Sequence, residues 1–269
     1  MKKLSVAIVL LLLITNIFLF SACNMENTIV VYTEAGFAPF EYIQAGKVVG
    51  VDVDIMNLVG EKLGKNVVFE CVGFDMIIPT VSAGKLCNVG AAGISITEER
   101  MEKVDFSHTY YKASLYVIFP TKMLSHYQSV TTDNVNGVYW DTLSDKNIAI
   151  QGGTTADIFL RDELEFGVLA NSGAKRTAYD KYSTAVADVG LNVDCIIMDK
   201  LPAQQLIANN EDLTLLPLYY KGDVDTPAFD EYAICVTKGQ EQLLLAINQV
   251  LEELGEDGIN ALISRHLGL

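Results

Sequence analysis

Positive charge is scarce in this 269-residue sequence. It contains 19 lysine and arginine residues against 34 aspartate and glutamate residues, and its formal net charge is −15 with neutral histidines. Nucleic-acid binding depends on basic patches, so a chain this acidic is not expected to bind nucleic acid. Net charge governs solubility and long-range steering, and it does not identify the ligand of a buried pocket.

Histidine and cysteine are also scarce. The three histidines, His108, His126 and His266, form no catalytic grouping, and the sequence has no Ser-His-Asp arrangement or nucleophile elbow. The cysteines after position 23 are Cys71, Cys87, Cys195 and Cys235. Their spacing is not that of a metal site, so we expect neither a metal nor a cofactor. Because they lie in or beside apolar runs, we expect buried free thiols, and a disulfide is the alternative.

A long apolar run occurs only at the N-terminus. Lys2 and Lys3 precede an uncharged, mostly apolar stretch at residues 4–20, which is shorter than the about 20 residues that a membrane-spanning helix needs. This is the pattern of a secretory signal. Small residues at 21 and 22 precede Cys23, as in bacterial lipoprotein signals. We therefore expect a signal segment over residues 1–23 and a lipid on Cys23 that anchors the protein to the extracytoplasmic face of the cell membrane. An ordinary cleaved secretory signal is the alternative.

Strand-like apolar runs alternate with helical periodicity through the rest of the chain. Strands are predicted at residues 28–32, 67–72, 88–93, 147–151, 193–198 and 232–237. Helices are predicted at residues 52–63, 76–84 and 241–254. Three more are predicted with one end each: one begins at residue 97, one ends at residue 160 and one follows residue 199. This alternation predicts α/β lobes, each with a mostly parallel sheet flanked by helices. Residues 122–144, between the two blocks, are polar and are predicted to be irregular.

Arg100 lies in the first turn of a predicted helix that Thr97 caps, directly after a predicted strand. Ligands of open α/β sheets bind at the carboxyl ends of strands. The helix dipole is positive at this end and disfavours arginine, so the residue indicates a bound anion. Its guanidinium can hold a carboxylate by two hydrogen bonds while Ser95 donates another. A surface ion pair with Glu99 or Asp105 is the alternative explanation.

Two other predicted strand ends carry polar groups. Residues 151–155, Gln-Gly-Gly-Thr-Thr, lead into a helix, and their backbone N–H groups and hydroxyls can hold an anion, although an ordinary turn explains the pattern equally well. The spacing excludes a Walker motif. Asp199 follows another strand, where it can receive an ammonium group or simply cap the next helix. Two anion-binding groups and one ammonium acceptor together match a zwitterion such as an amino acid.

The stretches at residues 33–41, 50–55, 73–79 and 92–107 resemble the extracellular solute-binding proteins of family 3, which serve ABC importers of polar amino acids. The most specific part is Ala-Gly-Ile-Ser-Ile-Thr-Glu-Glu-Arg at 92–100, followed by Val-Asp-Phe-Ser at 104–107. The resemblance implies a two-lobed, type II periplasmic-binding-protein clamshell with two hinge crossings, near residues 113–118 and 230–235. Lobe 1 would comprise residues 24–115 and 234–269, and lobe 2 residues 116–233.

The same resemblance implies a set of ligand-binding residues. Arg100, Ser95 and Thr155 would bind the ligand's carboxylate. Asp199 and the carbonyl of Gly93 would receive its ammonium group. The residues expected around the ligand's side chain are Glu34, Phe37 and Phe74. Binding would close the lobes, because contacts to both lobes exist only in the closed state.

The implied function is that of an extracytoplasmic substrate-binding component of an ABC importer, not of an enzyme. Its expected partners are a small polar amino acid, the transporter's permease with its ATPase, and the membrane through the lipid; a monomer is expected. Glu34 slightly favours a basic ligand, arginine or lysine, and cystine or another polar amino acid stays open. A fold does not fix function. An enzyme similar to cyclohexadienyl dehydratase, with Glu34 or Asp199 as acid or base, is the alternative, and a sensor module is a third.

Overall fold

The computed structural model describes residues 27–84, 89–132, 135–222 and 224–269. The predicted signal segment with Cys23, and also Cys87, lie outside those residues. Within the part of the chain that is described, no helix combines the length and apolar character that crossing a membrane requires.

Strands and helices alternate along most of the described chain. The strands are β1 Thr28–Thr33, β2 Gly36–Phe37, β3 Glu41–Gln44, β4 Lys47–Val49, β5 Asn66–Cys71, β6 Val89–Gly90, β7 Val104–Phe106, β8 Tyr111–Pro120, β9 Val130–Thr132, β10 Val135–Tyr139, β11 Asn147–Gln151, β12 Lys175–Tyr179, β13 Cys195–Asp199, β14 Leu213–Tyr220, β15 Thr226–Pro227, β16 Phe229–Tyr232 and β17 Cys235–Thr237. The helices are α1 Val51–Leu63, α2 Phe74–Ala83, α3 Glu98–Met101, α4 Leu124–Tyr127, α5 Thr155–Glu165, α6 Tyr182–Asp188, α7 Lys200–Ile207 and α8 Glu241–Leu267.

Two large mixed sheets organise these elements. The first has the strand order β5-β1-β6-β17-β7, and β1 pairs in parallel with both β5 and β6. The second has the order β12-β11-β13-β8-β14-β10-β9, with β15 on β14 and β16 on β8. Strands β11, β12 and β13 run parallel, whereas β8 is antiparallel to β13 and β14. The predicted two-lobed α/β fold is confirmed, and each sheet also contains antiparallel strands.

The long strand β8 and the pair β16 and β17 connect the two sheets. β8 follows β7 of the first sheet and lies in the second, where its first half pairs with β16. β17, a few residues after β16, returns to the first sheet between β6 and β7. The lobe boundaries at residues 115/116 and 233/234 stay predictions.

Apolar periodicity places the helices on the sheets. In α1 the side chains of Ile55, Met56 and Val59 are fully buried, and the helix ends at Gly64, whose left-handed backbone (φ 63°) closes the last turn. β1 alternates half-buried and buried side chains, as expected for a strand whose two faces differ in cover. The second lobe has its own core, in which Trp140 and Phe119 are buried.

Residues 122–144 are not irregular, and that prediction was wrong. β9 and β10 form an antiparallel pair, and β10 joins the second sheet by pairing Val138 with Leu218 of β14. A short turn of 3₁₀ helix then buries Trp140 and Leu143. Strands this short and polar at a sheet margin take their conformation from the neighbouring strand, so local sequence gives little signal for them.

Some element boundaries and one burial prediction also differ. The last helix continues past residue 254 to Leu267, across a break at Gly255 (φ 57°), and the strand predicted at 232–237 is interrupted between β16 and β17. The helix predicted at residues 76–84 begins earlier, at Phe74, with Gly73 before it. Cys195 and Cys235 are buried and form no disulfide with each other, but Cys71, the last residue of β5, is exposed.

Candidate ligand-binding site

A narrow cavity lies between the two lobes, at strand ends from both sheets. Glu34 directly follows β1, Ser95 follows β6, Thr155 begins the helix after β11, and Asp199 ends β13. The lining residues are Glu34, Phe37, Glu41, Phe74, Ala92, Gly93, Ser95, Gln151, Thr154, Thr155 and Asp199. The structure therefore brings seven of the eight predicted site residues to one cavity, and Arg100, the eighth, lies directly beside it, against Ser95.

Arg100 is buried and joins the two lobes. Its Nη1 donates to the backbone oxygen of Ser95 at 2.6 Å, and its Nη2 donates to that of Gly153 in the second lobe at 2.8 Å. Its side chain also lies over the Phe74 ring, with Cζ 5.6 Å from the ring centroid. Glu99 pairs instead with Lys103 at 2.7 Å. The alternative of a surface ion pair is therefore wrong for Arg100, which is only 6% exposed.

Arg100 lies on the short helix α3, which Thr97 caps. Thr97 accepts a hydrogen bond from the Arg100 backbone N–H at 3.2 Å, which is the predicted N-cap. Burial lowers the pKa of the guanidinium, and the nearby Asp230 carboxylate opposes that effect. The cation is therefore held in the first turn by hydrogen bonds to carbonyl oxygens and by a neighbouring acid.

The hydroxyls of Ser95 and Thr155 meet from opposite lobes, 3.3 Å apart. Both also donate to Oδ2 of Asp230, Ser95 at 2.9 Å and Thr155 by a short hydrogen bond. Asp230 lies on β16, opposite Ala113 of β8. The two hydroxyls predicted to bind a carboxylate thus already contact a carboxylate of the protein.

The turn at residues 151–155 is largely satisfied by the protein itself. The N–H of Gly152 donates to Tyr179 at 3.0 Å, and that of Gly153 donates to the Asp157 side chain at 2.9 Å. Thr154 caps the helix by accepting from the Asp157 N–H at 3.3 Å. The N–H groups of Gly152 and Gly153 are therefore not free to bind an anion. The turn contributes the Thr155 side chain to the cavity.

Asp199 occupies the N-cap position of α7, but its side chain makes no capping hydrogen bond. Its Oδ1 is buried and has no hydrogen-bond partner among the described residues. Burial and the neighbouring Asp230 carboxylate raise its pKa well above the ordinary value. The capping explanation therefore does not account for this aspartate, whose carboxylate faces the cavity.

Two glutamates from the first lobe line the opposite side of the cavity. Glu41 opens β3 and is fully buried, and neither of its carboxylate oxygens has a hydrogen-bond partner among the described residues. Burial raises its pKa well above the ordinary value, and the charges of Asp52 and Glu34 raise it further. Burial also raises the pKa of Glu34, opposed by Lys181 and by the Gly36 backbone N–H.

Gly93 is fixed in position by its backbone and its neighbours. Its N–H donates to Asp52 at 2.8 Å, and the Tyr110 hydroxyl donates to the other oxygen of that carboxylate at 2.5 Å. Gly93 has a left-handed backbone (φ 54°), and a Cβ there would lie 3.2 Å from ring atoms of Phe37 and Tyr232. Only glycine fits this position without strain. With no side chain, Gly93 contributes its backbone to the cavity wall.

Aromatic side chains cover the cavity, as predicted for Phe37 and Phe74, and further rings take part. Phe37 stacks on Tyr182 of the second lobe, with centroids 6.3 Å apart. Tyr232, from β16, lies 6.4 Å from Phe37 on the other side. The rings therefore join the two lobes at the apolar end of the cavity.

Two acidic residues at the site, Glu41 in the cavity wall and Asp230 beside Ser95, have no recognisable sequence signal. Glu41 lies in the stretch that carried the resemblance, seven residues after Glu34, but nothing local marked it as facing the cavity. Asp230 lies in the predicted crossing segment, where its register against β8 brings it to the Ser95 hydroxyl. No signal in the sequence identifies that contact, because it depends on the pairing of distant strands.

The fold and the position of the cavity define the class of protein: a two-lobed, type II periplasmic-binding-protein fold with its cavity between the lobes. The chain belongs to the bacterial extracellular solute-binding proteins, family 3, whose family model matches residues 29–268. The predicted family is thereby confirmed.

Similar proteins share almost the full length of the chain. It is 28% identical over 242 residues to the putative ABC transporter arginine-binding protein 2 of Escherichia coli, covering 88% of this chain and 89% of that one. It is 26% identical over 237 residues to a probable histidine-binding protein of Campylobacter jejuni, covering 87% and 82%. Both relatives have the names of binding proteins rather than enzymes.

A solved structure has the same overall fold. It is an amino acid ABC transporter substrate-binding protein from Streptococcus pneumoniae, bound to L-arginine. The TM-score is 0.78 at 25% sequence identity, with 92% of this chain and 98% of that chain covered.

Proposed function

We propose that this protein is the substrate-binding component of an ABC importer for a polar amino acid, with a preference for a cationic one, arginine or lysine. The ligand's carboxylate lies near Arg100, Ser95 and Thr155, and its ammonium group near Asp199 and the Gly93 carbonyl. Its side chain extends between the aromatic rings towards Glu34 and Glu41.

The observation that carries this proposal is the buried, unpartnered carboxylate of Glu41 at the cavity wall, next to Glu34. An ionised carboxylate without a partner is costly to bury. A guanidinium or ammonium group placed between the two glutamates offsets that cost by charge-assisted hydrogen bonds. A neutral side chain gives no such compensation.

The charges around the cavity lead to the same conclusion. A zwitterion needs one cation and one acid, which Arg100 and Asp199 supply. Glu34 and Glu41 are additional acids on the same cavity, and burial raises the pKa of both. If one of the two stays protonated, the matching ligand has one more positive charge than a neutral amino acid. The arginine-bound structure from S. pneumoniae and the named arginine-binding relative support the same class of ligand.

The first experiment is thermal unfolding of the signal-free protein with arginine, lysine, histidine, glutamine, cystine and prephenate. A ligand present at 100 times its Kd stabilises the native state by about 2.7 kcal/mol. We expect arginine or lysine to raise Tm most. If prephenate alone raises Tm, the transport function is wrong and dehydratase turnover is the next assay.

Specificity is tested by calorimetric titration with arginine and citrulline, which have nearly the same shape but differ in charge. Glu34→Gln and Glu41→Gln are each expected to weaken arginine binding at least tenfold, about 1.4 kcal/mol, with a smaller effect on citrulline. Glu99→Gln, on the exposed face of α3, is the matched control and should change neither. Equal losses for both ligands would remove the case for a cationic side chain.

The proposal includes lipid attachment at Cys23 and delivery to a permease with its ATPase. Membrane fractionation of cells that express the full chain tests the anchor. Cys23→Ser is expected to move the protein from the membrane to the soluble extracytoplasmic fraction. Retention of that variant on the membrane contradicts a lipid on this cysteine.

A further inference from the structure

Asp230 is not among the residues assigned to the ligand above, yet it lies next to Asp199 at the centre of the molecule. Both aspartates are placed by the crossing strand β8, where Asp230 is opposite Ala113 and Asp199 is opposite Leu115. Asp199 is 8% exposed and Asp230 is 6% exposed. The strand positions opposite them, Ala113 and Leu115, lie two residues apart on one face of β8, and each carboxyl raises or lowers the pKa of the other.

Each of the two carboxyls has one buried oxygen without a hydrogen-bond partner among the described residues. Oδ2 of Asp230 is fixed by the hydroxyls of Ser95 and Thr155. Oδ1 of Asp230 and Oδ1 of Asp199 are both buried without a hydrogen-bond partner among the described residues. Two acceptor oxygens, one from each aspartate, are therefore left in a region that water does not reach.

The groups that face this pair do not supply enough positive charge. Arg100 is the cation nearest Asp230, but two of its N–H groups go to backbone oxygens of other residues. The other titratable neighbours are the phenols of Tyr111, Tyr182 and Tyr232, whose raised pKa values keep them neutral. Glu34 and Glu41, on the cavity wall, and Asp52, which accepts from the Gly93 N–H behind it, are acids whose pKa values are also raised.

Like charges this close do not both ionise in a buried site, so the pair holds either a proton or another cation. An alkylammonium group has three N–H donors. Oδ1 of Asp199 and Oδ1 of Asp230 offer it two acceptors, in addition to the carbonyl of Gly93 already assigned to it. The same oxygens that hold a proton without ligand can therefore hold the ammonium group.

We propose that Asp230 is a second ammonium-binding carboxylate and that the Asp199–Asp230 pair exchanges a shared proton for the ligand's α-ammonium group. No covalent bond changes. The proton held by the pair passes to solvent, and the charge of the incoming ammonium replaces it. The inference rests on the proposed function, since it requires an amino acid in this cavity.

The consequence is that binding releases a proton and depends on pH in a defined direction. Where the free pair is protonated, affinity for arginine should rise with pH by up to about tenfold per unit, because one proton must leave for each ligand bound. The dependence should vanish above the pKa of the free pair.

Calorimetric titration with arginine in two buffers of different ionisation enthalpy measures the protons released. For the wild type we expect the pair to release up to one proton per ligand at pH values below the pKa of the free pair, and none above it. Asp230→Asn keeps the shape and can still accept from Ser95 and Thr155. We expect it to lose most of the release and to bind arginine more weakly, while the control Glu99→Gln, exposed on α3, keeps the full release.

The outcomes separate this inference from the proposed function. If no amino acid binds, the proposed function fails. If arginine binds to the wild type without proton release, or if Asp230→Asn releases as many protons as the wild type, the exchange is wrong and the binding function stands. If thermal unfolding shows that Asp230→Asn is not folded, Asp199→Asn takes its place. We expect Asp199→Asn to abolish the proton release, and an unchanged number of released protons in that variant overturns the proposal.

Discussion

Replacing Arg100 by alanine is the most direct test of the candidate site. The side chain holds the Ser95 backbone within the first lobe and the Gly153 backbone of the second, and it lies beside the position assigned to the ligand's carboxylate. The substitution removes a buried cation and leaves these groups and the neighbouring Asp230 without it. The first lobe loses the contact of Arg100 with Ser95, and the two lobes lose the contact of Arg100 with Gly153 that joins them. The ligand's carboxylate loses its charge partner.

The size of the effect follows from these contacts. Removing one partner of a buried, hydrogen-bonded charge pair costs about 2–5 kcal/mol of binding, which is roughly 30-fold to 5,000-fold in Kd. Arg100→Lys keeps the charge but has one nitrogen where arginine places two N–H groups on separate carbonyl oxygens. We therefore expect its Kd to lie between those of the wild type and Arg100→Ala.

Isothermal titration with the ligand that gives the largest thermal shift measures these Kd values. Lys103→Ala is the matched control, because it lies directly after α3, is exposed and pairs with Glu99 at the surface. A surface pair contributes at most about 1 kcal/mol to stability, so its removal should leave Kd within about twofold. If Arg100→Ala folds with an unchanged Tm and its Kd lies within threefold of the wild type, the assignment of the carboxylate site is wrong.

Two further predictions concern stability. The pKa of Asp52 is raised from 3.8 to about 6 and that of Glu41 is raised well above 4.5. The native state therefore binds more protons than the unfolded chain between about pH 4 and 6, and this stabilisation is lost as pH rises through about 6. Calorimetry should show a higher Tm near pH 5 than near pH 7.5, and a smaller difference in Asp52→Asn; a Tm that rises steadily over that interval contradicts the argument. Gly93→Ala should cost about 1–2 kcal/mol of unfolding free energy because its backbone is left-handed, and the added methyl group should also impair binding by contact with Phe37. Gly64→Ala is the control: it has a similar φ and no atom within 4 Å, so it should affect stability alone. Equal losses of binding in the two variants would refute the steric explanation.

Sequence could predict the parts of the site that lie at strand ends. Gly93, Ser95 and Arg100 follow β6 within ten residues, and the order of short strand, turn and helix places them at one sheet edge. Asp199 and Thr155 follow strands of the second sheet in the same way. Position within a strand–turn–helix unit is a local property, so one sequence contains enough information to place these residues.

The remaining features depend on contacts between distant parts of the chain. β10 is a strand because it pairs with β14, about 80 residues later. Asp230 reaches Ser95 because β16 pairs with β8 in one register, and a shift of one residue would turn its side chain to the other face. Glu41 is buried because the hairpin of β2, β3 and β4 folds it under the first lobe. None of these contacts has a local pattern that predicts it.

The distribution of charge explains how such a site couples binding to the arrangement of the lobes. Glu34 and Glu41 come from the first lobe and Asp199 from the second, so the acids that face the cavity approach one another when the lobes meet. Their mutual repulsion opposes that approach unless a proton or a cation lies between them. Among the described residues, the direct polar contacts between the lobes at the cavity include those of Arg100 with Gly153 and of Ser95 with Thr155 and Asp230. The proposed cationic ligand would contact both lobes only when they are together, and its differential affinity for that arrangement would favour closure.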